Sequence, residues 1–304
     1  MFDVPILFLI YNRPDYTEVV FSKIREIQPK SLFIAADGPK TKIDDIECQK
    51  TRKIVEKIDW PCKVNTLFRD SNLGCKLAVS SAIDWFFSHN KEGIILEDDT
   101  LPNDSFFYFC ENLLYKYQTD NSIMSITGVS WVNGKLVHPY SYYFSNYPGI
   151  WGWATWANRW DKFDLKMKEF PEFLKRNMMD EICFSKKEKE IILNYLTDTY
   201  ENKIDTWDYI WHFTHFSGKK FCIVPKMNLV TNIGFDSRST HTKASNSNRA
   251  HSPTYEINEE LNHPEKIQRN TRADSYVVNR MLLGKSSFNE IMLNKFKKWV
   301  RKLF

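Results

Sequence analysis

Through the first hundred positions, short apolar runs alternate with longer amphipathic segments. Residues 4–10, 31–36, 62–68 and 94–97 are apolar stretches of strand length, which predicts strands buried on both faces. Between them, residues 16–27, 44–58 and 75–88 repeat at helical spacing. Val19, Val20, Ile24 and Ile27 make one side of the first helix, and Asp15 is placed to cap it. Such alternation predicts a mostly parallel sheet with helices on both faces. Beyond this point the regularity lapses. Helices are expected over 103–117, 170–177 and 185–201, and strands over 123–129 and 221–224. Residues 231–275 are polar and aperiodic, the composition of a mobile loop or lid.

The ends of the first four strands change the picture. They close on Asn12-Arg13, Asp37-Gly38, Asn72-Leu73-Gly74 and Glu97-Asp98-Asp99. Any one of these is ordinary turn chemistry. Parallel strand ends at one edge lie side by side, however, and ligands bind outside them. Four such ends predict one crevice. The last is the most charged: three adjacent carboxylates, followed by Pro102, which a central ladder excludes. They repel one another unless solvent or a cation neutralises them. Oxygen ligands on a short turn suit Mg²⁺ or Mn²⁺ held jointly with a substrate phosphate.

Composition narrows the field. The 304 residues can bury a full core. A net charge of +4, from 42 basic and 38 acidic residues, is too balanced to argue for nucleic acid. The six cysteines are scattered, with no Cys-x-x-Cys pair, and the chain leads straight into a strand without room for a signal peptide. No apolar run reaches bilayer length. The expectation is a cytoplasmic protein.

Aromatic residues make up 15% of the chain, and Trp151, Trp153, Trp156 and Trp160 fall within ten positions. With Gly149 and Gly152 among them, this stretch reads either as a saccharide-binding wall, indole against sugar ring, or as a buried aromatic cluster. Asp208 stands among Trp207, Tyr209 and Trp211, where desolvation suits a carboxylate to act as a base; a helix cap is the plainer alternative. His241 is a candidate for metal or pyrophosphate. At the C-terminal end, residues 288–304 put Phe288, Met292, Phe296, Trp299, Val300 and Leu303 on one helical side and most of the basic residues on the other. That pattern suits either an anionic membrane surface or docking on the chain's own body.

Taken together, the motifs resemble nucleotide-sugar-dependent glycosyltransferases of the GT-A fold, near the N-acetylglucosaminyltransferase I-like branch and bacterial saccharide-building relatives. The resemblance covers residues 1–241 as an ordered set of motifs: Arg13 after the first strand, Asp37 after the second, Glu97-Asp98-Asp99, and Trp207-Asp208. It implies a catalytic domain over 1–241, with a nucleotide-sugar half (1–129) and an acceptor half (130–241), and an appendage over 242–304. It further implies donor contacts from Tyr11, Asn12, Arg13, Asp37, Gly74, Lys76 and Asp98. The metal, Mn²⁺ or Mg²⁺, would be held by Asp99 with Glu97 and His241. Asp208 would be the base of an inverting transfer from a UDP-linked donor. Trp151, Gly152, Trp153, Trp156 and Trp207 would receive a saccharide or lipid-linked saccharide acceptor. One departure is Gly74-Cys75-Lys76, where the eukaryotic branch carries a His before the triplet. A sugar-phosphate nucleotidyltransferase is the rival enzyme, although it normally has a Gly-rich basic loop after the first strand, which Tyr11-Asn12-Arg13-Pro14 is not. A non-catalytic saccharide-binding module is the rival outside catalysis.

Overall fold

The computed structural model describes residues 1–235, 251–257 and 260–284. The first half follows the alternation: β1 (Ile6–Ile10), α1 (Pro14–Ile27), β2 (Ser31–Ala36), α2 (Lys42–Arg52), β3 (Lys63–Phe68), α3 (Gly74–Phe87) and β4 (Glu92–Glu97). These strands lie parallel in the order β3-β2-β1-β4. Their period-two geometry sends successive side chains to opposite layers. On β1, Ile6, Phe8 and Ile10 enter one layer, and Leu7 and Leu9 enter the other. All five are buried, each contributing about 1.5–3 kcal/mol over exposure. Val20, Phe21 and Ile24 of α1 cover the first layer; Ala82, Ile83 and Phe86 of α3 cover the second. Asp15 does not cap α1. Pro14 occupies the first helical position, where its missing N–H costs nothing, and Asp15 falls inside the first turn.

The rest of the chain comprises β5 (Thr100–Pro102), α4 (Asp104–Tyr117), β6 (Ile123–Thr127), β7 (Tyr142–Ser145), β8 (Trp153–Trp156), α5 (Ala157–Trp160), α6 (Phe170–Lys175), α7 (Lys186–Tyr200), α8 (Asp208–Gly218), β9 (Phe221–Pro225), β10 (Val230–Asn232) and α9 (Thr271–Val277). The main sheet has eight strands, in the order β3-β2-β1-β4-β8-β6-β9-β7. Four of its pairings are parallel and three, all in the second half, antiparallel. This is the expected α/β class: a mostly parallel, Rossmann-like sheet flanked by helices. Pro102 ends β5, which leaves the main sheet and pairs only with β10. Two of these helices begin where a side-chain oxygen meets a free N–H group: Asn103 accepts from Phe106 N at 3.1 Å at α4, and Ser185 from Glu188 N at 3.2 Å at α7.

Two expectations change here. The tryptophan-rich stretch contains a central strand, β8, antiparallel to both β4 and β6. Trp153 packs with Trp160, Trp207 and Trp211 on one layer, and Trp156 packs with Leu113 and Leu114 of α4 on the other. Trp153 and Trp156 are therefore core, not an exposed wall. Residues 251–257 and 260–275, expected within a mobile loop, are instead fastened to the body. Asn228 Nδ2 donates to Pro253 O at 3.1 Å, Asn103 Nδ2 to Tyr255 O at 2.9 Å, and Asn270 N to Phe144 O at 2.8 Å. The buried Asp274 carboxylate of α9 accepts from Ser145 Oγ at 2.5 Å and pairs with Arg269 Nε at 2.7 Å. His241 and residues 288–304 lie outside the described residues. Among those described, no helix is long and apolar enough to cross a membrane.

Candidate active site

The carboxyl ends of β1, β2 and β4 converge, as their parallel order requires, on a cleft of about 340 Å³. Tyr11, Asn12, Arg13, Asp37, Asn72, Gly74, Glu97 and Asp98 are among the residues that line it, with Lys40, Asp44, Arg69 and Asp205. A second cleft of about 670 Å³ opens beside it. Its walls include Trp131, Trp151, Trp207, Asp208, Tyr209, His212 and Phe235. Arg13, Cys75 and Glu97 line both and form the ridge between them.

Arg13 is the centre of charge on that ridge. Nη2 bonds Asp98, Nη1 reaches Asp99 Oδ2 at 2.9 Å, and Nε lies 3.4 Å from Asp98 Oδ2. One guanidinium thus spans two carboxylates, the fork geometry arginine is suited to. The Asp98 side chain is 4% exposed, so the pairing offsets a desolvation that would otherwise be severe. A third acid, Glu97, lacks such a partner. Burial, then the charges of Asp99 and Asp98, push its carboxyl up to about 8, with Arg13 pulling the other way. Asp98 rises less, to about 6: burial lifts it, Arg13 opposes, and Asp99 adds to the lift. Asp99 is backed so closely by the Gly234 backbone that any Cβ there would collide with its carboxylate.

The carboxylates do not fit the metal role expected of them. Their oxygens are the right kind of donor for Mg²⁺ or Mn²⁺. Asp98 and Asp99, however, are already bridged by Arg13, where a cation would bind. Among the described residues, no group of three or more His, Cys, Asp or Glu is arranged to hold a metal ion.

Several other expected residues take different roles. Both oxygens of Asp37 accept N–H groups of its own loop and the next: Gly38 N at 2.9 Å, Asn72 Nδ2 at 2.9 Å, Leu73 N at 2.9 Å and Gly74 N at 3.2 Å. Asp37 therefore shapes the cleft by holding the β3–α3 loop. Lys76 lines neither cleft, because its Nζ is turned to Asn202 Oδ1 at 2.9 Å. Gly152, Trp153 and Trp156 line neither cleft as well. Of the expected aromatic wall, Trp151 and Trp207 remain, and Trp207 is only 2% exposed. Trp151 stands edge-on to Trp131 at 5.5 Å and to Phe235 at 5.6 Å. Tyr11 does line the smaller cleft, and its buried hydroxyl has no well-formed hydrogen bond among the described residues. An unmatched buried donor in a cleft is a natural contact for a ligand.

Asp208 opens α8, and Trp207 is the residue before it. One oxygen, Oδ1, accepts from Thr206 Oγ1 and from Tyr209 N at 2.8 Å. That geometry orients the carboxylate, and no bond to Oδ2 is recorded among the described residues. His212 follows one turn later on the same face, its pKa lowered by burial against the opposing charge of Asp208. This i,i+4 spacing was the available signal for His212. Nothing local marked Trp131, Phe235 or Asp205, which tertiary packing delivers. Burial, and then the charges of Glu97, Asp208 and Asp205, raise the Cys75 thiol well above its ordinary value, which disfavours the thiolate.

No protein-family model matches the sequence, and no curated protein does. Solved structures to which the chain shows similarity include a UDP-glucose pyrophosphorylase complexed with UDP-glucose (13% identity, TM-score 0.34, covering 54% of this chain and 79% of that one). A UTP-bound UGPase from Acinetobacter baumannii gives 10% identity and a TM-score of 0.37 over 74% of this chain and 86% of that one. HddC from Yersinia pseudotuberculosis gives 12% and 0.35 over 56% and 86%. Likeness of this extent carries no argument about fold or chemistry.

Proposed function

We propose that this chain transfers a glycosyl group from a nucleoside-diphosphate sugar to an acceptor hydroxyl. The observation that carries the reading is the pair of clefts sharing one ridge, with Arg13 on the ridge and Asp208 in the aromatic cleft. A transferase needs two substrates with their reacting atoms adjacent. The smaller cleft, at the strand ends, suits the nucleoside. Trp131, Trp151 and Phe235 suit the apolar face of a pyranose. In the reaction, the acceptor oxygen forms a bond to the anomeric carbon as the bond from that carbon to the diphosphate oxygen breaks. Asp208 takes the hydroxyl proton, and negative charge collects on the departing diphosphate beside Arg13. Attack opposite the leaving group inverts the anomeric centre.

The rival is nucleotidyl transfer between a nucleoside triphosphate and a sugar phosphate, the activity named for some of the similar structures. Against it, the β1–α1 connection is Tyr11-Asn12-Arg13, with no glycine to bring backbone N–H groups around a triphosphate.

The test is a panel of nucleotide sugars with saccharide acceptors, read as nucleoside-diphosphate release, beside a panel of nucleoside triphosphates with sugar phosphates, read as pyrophosphate release. Diphosphate release is expected. Asp208→Asn should lower it by about 10²–10⁴-fold, the usual scale of general base loss, while nucleotide-sugar binding by calorimetry is retained. Pyrophosphate release alone would transfer the assignment to the rival. Equal loss of turnover and binding would make Asp208 structural.

A further inference from the structure

The segment that delivers Asp208 to the aromatic cleft is held by a carboxylate from outside the proposed chemistry. Seven residues, 201–207, join α7 to α8. Within them, Asp205 reaches across to the first turn of α3, more than a hundred positions earlier. Its Oδ2 accepts from Cys75 N at 3.1 Å, and its Oδ1 accepts from Lys76 N at 3.2 Å. A second tie runs alongside, from Lys76 Nζ to Asn202 Oδ1 at 2.9 Å. The first N–H groups of a helix have no partner inside it and carry the positive end of its dipole, so a carboxylate is the side chain best suited to that place.

The neighbouring residues are fitted to this contact. Gly74 has φ +80°, a left-handed conformation that side chains disfavour, and a Cβ there would stand 2.6 Å from Asp205 Oδ2. Gly74 N is itself held by Asp37 Oδ2 at 3.2 Å. A continuous chain of contacts therefore runs from the β2 end, through Asp37, the β3–α3 loop and the first turn of α3, to Asp205. Three residues further on is Asp208. Asp205 also lines the smaller cleft, so it stands where the two clefts' supports meet.

We propose that Asp205 is a positioning residue: it latches the 201–207 segment to α3 and thereby fixes Asp208 in the aromatic cleft. The proposal rests on the glycosyl-transfer reading for its kinetic consequence but not for its structural one. Asp205 touches no reacting atom. Its effect passes through the register of α8 against α3, and misplacement of a reacting group by about 1 Å costs on the order of 10²-fold in rate. Both Asp205 oxygens are turned to α3 N–H groups, so losing the latch should lower turnover by more than it weakens donor binding.

Two variants and two readouts test this. Asp205→Ala removes both bonds; Asp205→Asn keeps one oxygen as an acceptor and should restore part of what alanine loses. Amide hydrogen exchange is followed in peptides covering 73–80 and 203–210 of the full chain, and kcat and donor KM are measured with the best nucleotide sugar of the panel. The expected result for Asp205→Ala is faster exchange in both peptides together. Its kcat should fall on the order of tenfold or more while donor KM stays within about threefold, and the Asn variant should lie between. Unchanged exchange in either peptide overturns the latch. Faster exchange with unaltered kcat, or a rise confined to donor KM, overturns the positioning role. Should the unaltered protein transfer no sugar from any donor, the functional reading fails, and the exchange arm alone decides whether Asp205 joins the two segments.

Discussion

The two clefts are built in opposite ways. The smaller one draws most of its lining from the ends of strands that follow one another along the chain, β1, β2, β3 and β4. The larger one gathers Arg13, Glu97, Trp131, Trp151, Tyr195, Asp208, Phe235 and Met281, positions separated by most of the chain's length. In the first, a repeated supersecondary unit places polar residues automatically at one edge of the sheet. In the second, an antiparallel insertion and the β5–β10 pair bring distant segments together. The contrast divides tryptophans that look alike in sequence: Trp156 is locked in the core, whereas Trp151 borders open space.

That division can be broken by substitution. Trp156→Ala is expected to cost about 3–5 kcal/mol, the range for truncating a buried aromatic, since the ring packs on α4, carries the Arg159 guanidinium at 4.5 Å and donates to Leu114 O at 3.2 Å. Acceptor KM in the folded fraction should not move. Trp151→Ala should do the reverse, raising acceptor KM with little change in the denaturation midpoint. Matching effects from both would erase the distinction between core and wall.

Arg13→Ala probes the ridge. Removing one partner of a largely buried ion pair leaves Asp98 and Asp99 uncompensated, an expected loss of about 3 kcal/mol in urea denaturation. It also vacates the cation position, so Mn²⁺ titrated calorimetrically should bind the variant more tightly than the unaltered protein. Micromolar Mn²⁺ binding with Arg13 in place would show that the three carboxylates rearrange to admit a metal.

The smallest effects are those of pH, and they oppose one another. His215 of α8, which accepts or donates at Ser125 Oγ (2.8 Å), is held by burial at about 3, below its ordinary 6.5. The unfolded chain takes up a proton as pH falls through 6.5 and the folded chain does not, so stability declines from there toward about 3. Glu97 behaves inversely. Folded, it keeps its proton up to about 8, while the unfolded chain releases it near 4.5, so its contribution is full below 4.5 and is lost as pH rises toward 8. Denaturation midpoints across that range should show both flanks, and Glu97→Gln should flatten only the alkaline one.

How much of this was legible beforehand follows from the same physics. Residues in β1 to β4 announce themselves because a strand buried on both faces must be apolar throughout and must stop at polar turn residues. Glu97, Asp98 and Arg13 were accordingly visible, as was the crevice they line. Asp208 was visible by its aromatic neighbours, although its partner Thr206 was not. The stretch holding β8 left two readings open because a central strand rich in tryptophan has the composition of a ligand platform, and only its hydrogen bonding to β4 and β6 separates the two. Residues 251–257 and 260–275 read as loose because the ties described for them include backbone and amide hydrogen bonds, which leave no hydrophobic period.

Sequence by itself therefore determined the α/β class, the parallel first half and the acidic edge of the sheet, all consequences of burial acting over a few neighbouring residues. Tertiary structure decided which tryptophans face a cleft, that Arg13 answers two of the three acids, and that Asp205 reaches α3. Those outcomes depend on distances between segments far apart in the chain, and local composition holds no record of them.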